Sequence, residues 1–438
     1  MRVAALAWAL LMPIAARAES TLQTLASELV TTLAAAHKAP TESAGKPPAL
    51  APWIACGTVR GGEAARSAEL SRRACRVIAA RLPGAQLIED AQSMQSAWKR
   101  AGTASRLAFV ELELAHGELR ASLDVHERST NVWERMKGKK PAPIAHAAAS
   151  APIDAEVRGF LPPLSLEEAK LRSYRLGGHA VLAMACGAFG TEPGNRLALL
   201  TERELLVGRL HGKAFAPERR VPLTSLGSRS PVPSRPPLAN LVATGDWQRP
   251  LAVGSSERPA LVLDRALTPA RALGGVPFLS GKNLLCTRID PALGAYVGRP
   301  SDCAATPPPI TARRETFDAI ATSELIDRGG NALAAFALRE PSGKLALEIG
   351  AQRGAVDAVG AQLALADLDQ DGALEIAYAL DSSGDDALVI ASFDGKGLRL
   401  RKRWASKAQV TAITTCPAED QGLLATVAAV GDEVWVVR

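Results

Sequence analysis

The apolar positions of the chain follow two different periods, and the period changes near residue 165. Residues 21–37 repeat leucine at helical spacing. Three short runs at 107–114, 118–124 and 131–135 alternate between apolar and polar residues, as the strands of a β-meander do. From residue 178 onwards, short alternating strands follow one another with almost no helical spacing. The pattern predicts an α+β multidomain chain, in which a small N-terminal α/β domain precedes an all-β domain.

The all-β part contains segments that can be laid over one another. Each has an apolar strand, a polar loop, a second apolar strand, a turn and a third strand. Copies start at Val181, Asn240, Ala319, Gln362 and Val410, and a weaker copy fills 276–311. A repeat of about 40–50 residues with four short strands is typical of a β-propeller blade, and the count predicts about six blades. The last copy ends after its third strand, so we expect 170–176 to supply the missing outer strand. Two β-sandwiches are the alternative.

One copy carries a sharp chemical motif, DLDQDGALE. Asp367, Asp369 and Asp371 alternate, a glycine lets the loop curl, and Glu375 ends the set. The main-chain carbonyl of Ala373 stands where such loops donate an oxygen, and calcium prefers oxygen ligands. We therefore expect one structural Ca²⁺ bound by these five residues. A solvated acidic turn without a metal is the alternative for this loop. The separate basic run at 399–403 is interpreted as a solvated face of a strand.

This loop resembles that of the FG-GAP or VCBS-type propeller repeat, known from integrin α-chains. In that repeat, D-x-D-x-D-G-x-x-D/E between the first two strands binds calcium. The matching positions here are Asp367, Asp369, Asp371 and Glu375. The other copies depart from the motif, since the loop at 245–250 keeps only Asp246 of the acids. The resemblance therefore implies a single metal site.

The order of elements before residue 160 resembles the N-terminal domain of the TolB type. The resemblance rests on the helix at 22–33, the block at 87–98 and the run at 107–127. It implies a periplasmic scaffold that contacts envelope proteins, and an unrelated α/β sandwich of the same order is the alternative. A proline-bounded linker is expected at 141–152. The expected division is a signal peptide at 1–18, a TolB-N-like α/β domain at 19–163 and a β-propeller at 164–438.

The first eighteen residues have the three parts of an export signal. A positive start is followed by an apolar stretch and by the A-x-A cleavage site 16–18, so we expect a cut after Ala18 and a periplasmic or secreted product. No later apolar run approaches the roughly 20 residues that a transmembrane helix needs. Because Arg2 and Arg17 leave with the signal, the net charge falls from +6 to about +4, which argues against nucleic acid as a partner.

The cysteines would then meet an oxidising compartment, where an even number permits three disulfides. They are Cys56, Cys75, Cys186, Cys286, Cys303 and Cys416. Six cysteines allow 15 pairings, which the sequence does not resolve. The first two and the pair 286 and 303 are close in sequence, which leaves two cysteines at similar places in the first and last repeats. Buried free thiols are the alternative.

No catalytic motif is evident. No histidine lies beyond His211, and the chain contains no G-x-S-x-G, H-E-x-x-H or G-x-G-x-x-G sequence. We therefore expect a non-catalytic, monomeric, exported binding or scaffold protein, not an enzyme, whose partner is an envelope or extracellular protein or a polysaccharide. Loops such as 249–250 and 329–331 would form the binding face. The alternatives are a propeller hydrolase or lyase that acts on polysaccharide, with carboxylates in the funnel, and a surface adhesin.

Overall fold

The computed structural model describes most of the chain. The described residues are 20–37, 53–61, 64–91, 93–115, 117–128, 142–189, 194–228, 238–290, 292–303, 315–357, 359–380, 385–418 and 422–438. The predicted signal peptide at 1–18 and the predicted strand at 131–135 lie outside these residues. No helix in the described part is long and apolar enough to cross a membrane.

A five-stranded mixed sheet with helices on both faces occupies the chain up to Pro152. Its strands are β1 (Trp53–Cys56), β2 (Gln86–Ile88), β3 (Arg106–Ala115), β4 (Glu118–Glu127) and β5 (Pro143–Pro152), and the helices are α1 (Thr21–His37), α2 (Ala64–Arg81), α3 (Met94–Arg100) and α4 (Ala155–Arg158). The strand order is β2-β1-β3-β4-β5. β1 is parallel to both of its neighbours, and β3, β4 and β5 run antiparallel to one another.

Apolar residues lie on both faces of this sheet, which explains why two sets of helices cover it. α1 and α2 bury Leu29 and Ile78 against β1, β3 and β4. On the other face, α3 buries Ala97 beside Phe109. The helical spacing of leucine in α1 is the pattern of a helix packed along one side.

The linker expected at 141–152 is wrong, because β5 pairs with β4 along its whole length. Ala147 and Ala151 alternate with exposed residues and face the core under α1. Alanine is a poor strand former, so its alternation is an indistinct strand signal. Its small size is what allows α1 to pack closely on this edge of the sheet.

The rest of the described chain consists of strands, apart from 3₁₀ turns at Leu166–Glu168 and Leu223–Ser225. The strands are β6 (Leu171–Arg175), β7 (Val181–Gly187), β8 (Arg196–Thr201), β9 (Glu204–His211), β10 (Ala214–Pro222), β11 (Ala239–Ala243), β12 (Leu251–Ser255), β13 (Arg258–Leu263), β14 (Pro269–Ala272), β15 (Val276–Ser280), β16 (Asn283–Asp290), β17 (Ala295–Asp302), β18 (Thr316–Phe317), β19 (Ala319–Ile326), β20 (Ala332–Arg339), β21 (Leu345–Ile349), β22 (Gln352–Val356), β23 (Leu363–Ala366), β24 (Leu374–Ala379), β25 (Asp386–Phe393), β26 (Leu398–Ser406), β27 (Val410–Cys416), β28 (Ala425–Val430) and β29 (Glu433–Val437).

These strands form a β-propeller. Four sheets have four strands each, β11 to β14, β15 to β18, β19 to β22 and β23 to β26, and one sheet has eight strands in the order β27-β28-β29-β6-β10-β9-β8-β7. Each innermost strand contacts the next around a closed ring, from β7 through β11, β15, β19, β23 and β27 back to β7. Ring closure lets both faces of every sheet be buried by neighbours, which two sandwiches would not achieve. The predicted propeller fold is confirmed.

The ring is fastened where the chain enters and leaves it. β6 pairs antiparallel with β29 from Leu171↔Val437 to Arg175↔Glu433, as expected for 170–176. A disulfide joins Cys186 in β7 to Cys416 in β27, with their Cα atoms 5.0 Å apart. Two further disulfides are Cys56–Cys75 and Cys286–Cys303, and no cysteine is free.

Candidate functional site

The acidic loop connects β23 to β24, the first two strands of their sheet. Both carboxylate oxygens of Asp367 accept main-chain hydrogen bonds, from the N–H groups of Asp371 and Gly372 at 2.9 Å. Gln370 and Gly372 have φ of 56° and 85°, so the loop curls through the left-handed region twice. The sequence therefore folds into a tight turn that converges its acids, as its spacing suggests.

Three of the five predicted ligand residues come together. One carboxylate oxygen from each of Asp367, Asp369 and Glu375 lies within 4.8 Å of the other two. Glu375 is fully buried and accepts hydrogen bonds from Leu368 N–H at 2.9 Å and Ser392 Oγ at 2.8 Å. The carboxylate of Asp371 serves the loop instead, because its Oδ1 accepts the N–H of Ala373 at 2.8 Å.

A guanidinium group stands beside these carboxylates. Nη2 of Arg401 lies 3.5 Å from Oδ2 of Asp369, and its Nη1 donates to Ser392 Oγ at 2.8 Å. Its Nε donates to Glu167 at 2.6 Å, and only 11% of the Arg401 side chain is exposed. Charge-assisted contacts of this kind are stronger than neutral hydrogen bonds. Arg401 therefore supplies positive charge at the place where a metal ion was expected.

Sequence reasoning missed Arg401, since the run 399–403 was interpreted as a solvated face. The register between β25 and β26 shifts at this residue, where Ile390 pairs with Lys402 and Ala391 with Leu400. A β-bulge re-aims a side chain towards the other side of the strand. The bulge is therefore the local reason that Arg401 turns inward, while Arg399 and Arg403 stay exposed.

The acidic loop lies where the first sheet meets the propeller. Nε2 of Gln370 donates to the main-chain oxygen of Ile153 at 3.2 Å in a buried contact. Ile153 immediately precedes α4, whose N-cap Asp154 accepts the N–H of Val157 at 3.0 Å. Asp154 also accepts the N–H of Thr21 at 2.7 Å, which ties α4 to the start of α1.

The contact between the first sheet and the propeller is called the seam below. Two more charged residues of α4 are buried in it. Glu156 is 4% exposed and pairs with Arg73 of α2 at 2.7 Å. It also lies against the propeller loop 327–331, since a Cβ at Gly330 would come within 2.7 Å of its Oε2. Arg158 is 6% exposed, and its charge is attracted by that of Asp369. The loop 329–331, expected at an open binding face, therefore belongs to the seam.

Burial controls the protonation of the acidic loop. It raises the pKa of Asp367 to about 7, of Asp369 to about 6 and of Glu375 to about 8, and the neighbouring carboxylates add to each shift. Hydrogen bonds from the loop main chain to Asp367, and the charge of Arg401 near Asp369, oppose these shifts. Near neutral pH these three carboxyl groups are therefore partly protonated, and the guanidinium of Arg401 lies beside them.

The carboxylates predicted to bind calcium accept hydrogen bonds from within the protein. Both oxygens of Asp367 and both oxygens of Glu375 close the loop or bind Ser392. The carboxyl of Asp371 lies close to Asp369 and helps to raise its pKa. Arg328 of the neighbouring loop donates to the main-chain oxygen of Asp371 at 2.6 Å. The acidic residues instead bind the protein's own N–H groups and arginines.

The ring encloses a narrow central channel with a volume of about 80 Å³. Its described lining comes mainly from the starts of the innermost strands and includes Met184, Asn240 and Gln362. Asp318 is the one carboxylate among those lining residues, and it pairs with Arg339. The pair of funnel carboxylates that the hydrolase alternative needs is not present among these residues.

A second feature, which sequence reasoning missed, is the loop between β11 and β12. The side chain of Trp247 is 64% exposed on this loop, and the guanidinium of Arg265 lies over its ring at 4.4 Å. Asp246 accepts the N–H of Gln248 at 2.8 Å, and Thr244 N–H donates to the main-chain oxygen of Pro250 at 3.0 Å. The segment GDWQRP could have indicated an exposed tryptophan, because a tryptophan in a polar turn has few neighbours to bury it.

No protein-family profile matches the chain, and no curated protein matches it. Among solved structures, the chain is similar to the PQQ-bound aldose sugar dehydrogenase of Streptomyces coelicolor, with 11% identity, a TM-score of 0.36 and coverage of 63% of this chain and 99% of that one. It is similar to TolB of Acinetobacter baumannii, with 11% identity, a TM-score of 0.29 and coverage of 89% and 94%. It is also similar to the apo soluble aldose sugar dehydrogenase of Escherichia coli, with 13% identity, a TM-score of 0.37 and coverage of 61% and 99%.

These findings correct the functional expectations. A non-catalytic binding or scaffold protein was expected, and the conclusion that the chain is not an enzyme is wrong as drawn, because the similar propellers include sugar dehydrogenases as well as TolB. The alternatives of a polysaccharide hydrolase or lyase and of an adhesin have no counterpart among these three structures. With TM-scores of 0.37 or lower, the similarities assign no activity to this chain.

The expected cofactor, one structural calcium ion, is corrected as well. One of the similar sugar dehydrogenases is a PQQ-bound form. In this chain, the described carboxylates bring together three of the five expected ligands and receive a guanidinium beside Asp369. No calcium ion is therefore assigned.

Proposed function

We propose that the protein is exported and that it recognises an acidic polypeptide of the bacterial envelope or extracellular space through the Trp247 loop, residues 244–250. The observation that carries this proposal is the exposed Trp247 ring stacked against Arg265. Recognition of this kind neither requires nor excludes a reaction elsewhere in the propeller.

The Trp247 loop is held in one conformation by its own hydrogen bonds. Gly245 has a φ of 73°, Thr244 Oγ1 accepts the N–H of Asp246 at 3.2 Å, and Arg249 N–H donates to the oxygen of Asp246 at 3.1 Å. A rigid aromatic side chain loses little conformational entropy on binding. Tryptophan and arginine are also enriched among the residues that dominate binding energy at protein interfaces.

The surroundings of Trp247 carry excess positive charge. Arg249 is half exposed beside Asp246, and the side chain of Arg219 donates to the main-chain oxygen of Arg265 at 2.5 Å. These three arginines outnumber by one the two carboxylates that interact with them, Asp246 and Asp264. An acidic partner is favoured, because complementary charge raises the association rate and the specificity.

The position of the Trp247 loop fits a surface that a partner can reach. In sheets that all run outward from the ring axis, every connection between a first and a second strand lies on one face. The Trp247 loop and the acidic loop are both such connections. Trp247 therefore faces the same side as the first sheet, but on a different blade.

The proposal includes the domain organisation. Residues 1–18 are a signal peptide cut after Ala18, residues 19–163 are a TolB-N-like α/β domain, and residues 164–438 are a six-bladed propeller with FG-GAP/VCBS-like repeats. The eight-stranded sheet supports the count if it is divided between β6 and β10, which share a single residue pair. The mature protein acts as a monomer in the periplasm or outside the cell, without nucleic acid.

Site-specific photo-crosslinking in living cells tests the proposal. A photoreactive residue replaces Gln248 in one variant and, as a matched control, Leu293, which is 63% exposed on a connection between second and third strands. We expect a discrete protein adduct from position 248 and none from position 293. Equal adducts from both positions, or none from position 248, would contradict the proposal.

A further inference from the structure

Strand β5 forms one edge of the first sheet. The strand order β2-β1-β3-β4-β5 gives it a neighbour, β4, on one side only, and among the described strands none pairs with its other side. At ten residues, Pro143–Pro152, it is as long as the strand it pairs with. An edge strand presents main-chain N–H and C=O groups with which another chain can pair.

The register shows which main-chain groups of β5 point outward. Gly117 accepts the N–H of Ile153 at 3.0 Å, one step beyond the first pair of the β4–β5 register. Hydrogen-bonded and non-hydrogen-bonded pairs alternate along an antiparallel ladder. Counting back along β5, the main chain of His146, Ala148 and Ser150 therefore points away from β4. Each of these residues offers one donor and one acceptor at the edge.

The two ends of β5 limit this edge. The oxygen of Pro152 belongs to the same outward series, and it accepts a hydrogen bond from Oγ1 of Thr21 at the start of α1. The other end begins at Pro143, beside a register shift in the pairing with β4. Proline and bulges are the usual means of blocking an edge strand, and here they stand only at its ends. The open edge of β5 is therefore its middle, residues 146–150, whose outward side chains are exposed.

The face of the sheet beside the open edge forms an acidic trough. This trough has a volume of about 470 Å³, and its floor includes the small side chains of Ser122, Ala148 and Ser150. Its charged lining residues are three glutamates and two arginines, namely Glu111, Glu113, Glu118, Arg60 and Arg120. The trough therefore carries a net negative charge.

The surplus charge can be assigned to one residue. Glu111 pairs with Arg60 at 3.1 Å, and Glu118 pairs with Arg120 at 3.5 Å. Glu113 is exposed on β3 and pairs with neither arginine. Complementary charge favours a partner that brings lysine or arginine to the trough.

The opposite face of the sheet beside the open edge is apolar. Ala145 and Ala149 are half-buried there and pack against the core that α1 covers. Successive side chains of a strand point to opposite faces of its sheet. A strand added at the edge would therefore place every second side chain at the acidic trough and the others beside these alanines.

We propose that the open edge of β5 binds an extended segment of a partner protein in which basic and apolar residues alternate. The segment adds to the sheet as a further strand, and its main chain bonds to that of residues 146–150. Main-chain bonds supply affinity in this mode of recognition, while alternate side chains supply specificity. The site is separate from the Trp247 loop and prefers the opposite charge.

Calorimetric titration of the mature protein with three capped peptides tests the proposal. The first alternates lysine and valine, the second has glutamate in place of lysine, and the third is the first peptide methylated on its main-chain nitrogens. We expect the first to bind at least about tenfold tighter than the other two. No heat with the first peptide up to about 1 mM, or equal affinity for all three, would overturn the proposal.

Two variants and two controls locate the site. Ala148→Pro removes the outward N–H in the middle of the open edge, and Glu113→Lys reverses the surplus charge. Both should weaken binding of the lysine–valine peptide about tenfold or more, with the melting temperature checked for each. Ala148→Ser, which keeps the N–H, and Trp247→Ala should leave it unchanged. Unchanged binding in Glu113→Lys would overturn the proposal even if Ala148→Pro did not fold.

Discussion

The guanidinium of Arg401 lies 3.5 Å from the carboxylate of Asp369, in a loop whose sequence is that of a metal-binding repeat. The same guanidinium binds Glu167, which precedes the strand that closes the ring. Arg401 therefore connects the acidic loop, the outer strand β26 and the chain that enters the propeller. In this protein the acids of the loop hold parts of the fold together.

Removing the Arg401 guanidinium should destabilise this connection. Arg401→Gln leaves Asp369, which is 3% exposed, with Arg158 as its remaining opposite charge, and breaking a buried ion pair from one side costs about 3 kcal/mol. Arg399→Gln, on the exposed side of the same strand, should cost less than about 0.5 kcal/mol. Urea unfolding of both variants measures the difference. Equal losses of unfolding free energy in the two variants would contradict a stabilising role for Arg401.

The stability of the protein should fall as the pH rises from 4.5 to 8. Burial raises the pKa of Glu375 from 4.5 to about 8 and that of Asp367 to about 7, so the folded state binds more protons than the unfolded state in this range. The stabilisation is complete below the unfolded-state pKa and is lost as the pH rises through the folded-state values. Glu375→Gln should flatten this slope.

Unfolding by urea at pH 5 and pH 8, with EDTA present to exclude metal ions, measures the pH slope. Glu340→Gln, on an exposed turn, is the matched control and should keep the slope of the unchanged protein. The interpretation fails if stability rises with pH between these values, or if Glu375→Gln and Glu340→Gln behave alike.

The closure disulfide should stabilise the propeller more than the disulfide within one sheet. Cys186–Cys416 spans 230 residues and Cys286–Cys303 spans 17. Loop entropy alone gives about 5 kcal/mol for the first and about 3 kcal/mol for the second. Thermal melting of the two double alanine variants compares them. A smaller loss for Cys186→Ala with Cys416→Ala would indicate that β6 and β29 close the ring without help.

A side chain at position 372 should weaken the seam. Gly372 has a φ of 85°, and a Cβ there would come within 3.1 Å of Arg328 and 3.5 Å of Ala155. Gly372→Ala should cost about 1–3 kcal/mol, whereas Gly397→Ala, where a Cβ would meet nothing within 4 Å, should cost much less. Limited proteolysis provides a second readout, since cleavage near residue 153 should become faster in Gly372→Ala only.

The sequence predicts those parts of this fold that depend on short-range periodicity. The leucine spacing of α1 is local, and the outer strand that the last repeat lacks points to 170–176; both elements lie where they are expected. The sequence pattern does not predict strand β5, because the buried positions of this strand are alanine. For the same reason, its length and its pairing with β4 become clear only in the sheet.

The candidate site depends on contacts between residues that are distant in sequence. Arg401 meets Glu167 across 234 residues, and Gln370 meets Ile153 across 217. A bulge in β26 decides which residue of the basic run turns inward. The acidic spacing alone predicts convergent carboxylates, but it contains no information on which cation, proton or hydrogen bond they receive.

The most direct test of the proposed recognition is the adduct yield from a photoreactive residue at position 248, compared between unchanged Trp247, Trp247→Ala and Arg265→Glu. We expect a discrete adduct with Trp247 present, a loss of at least about tenfold in Trp247→Ala and a similar loss in Arg265→Glu, since tryptophan and arginine dominate such interfaces. An adduct of the same identity and yield in all three proteins would contradict the account.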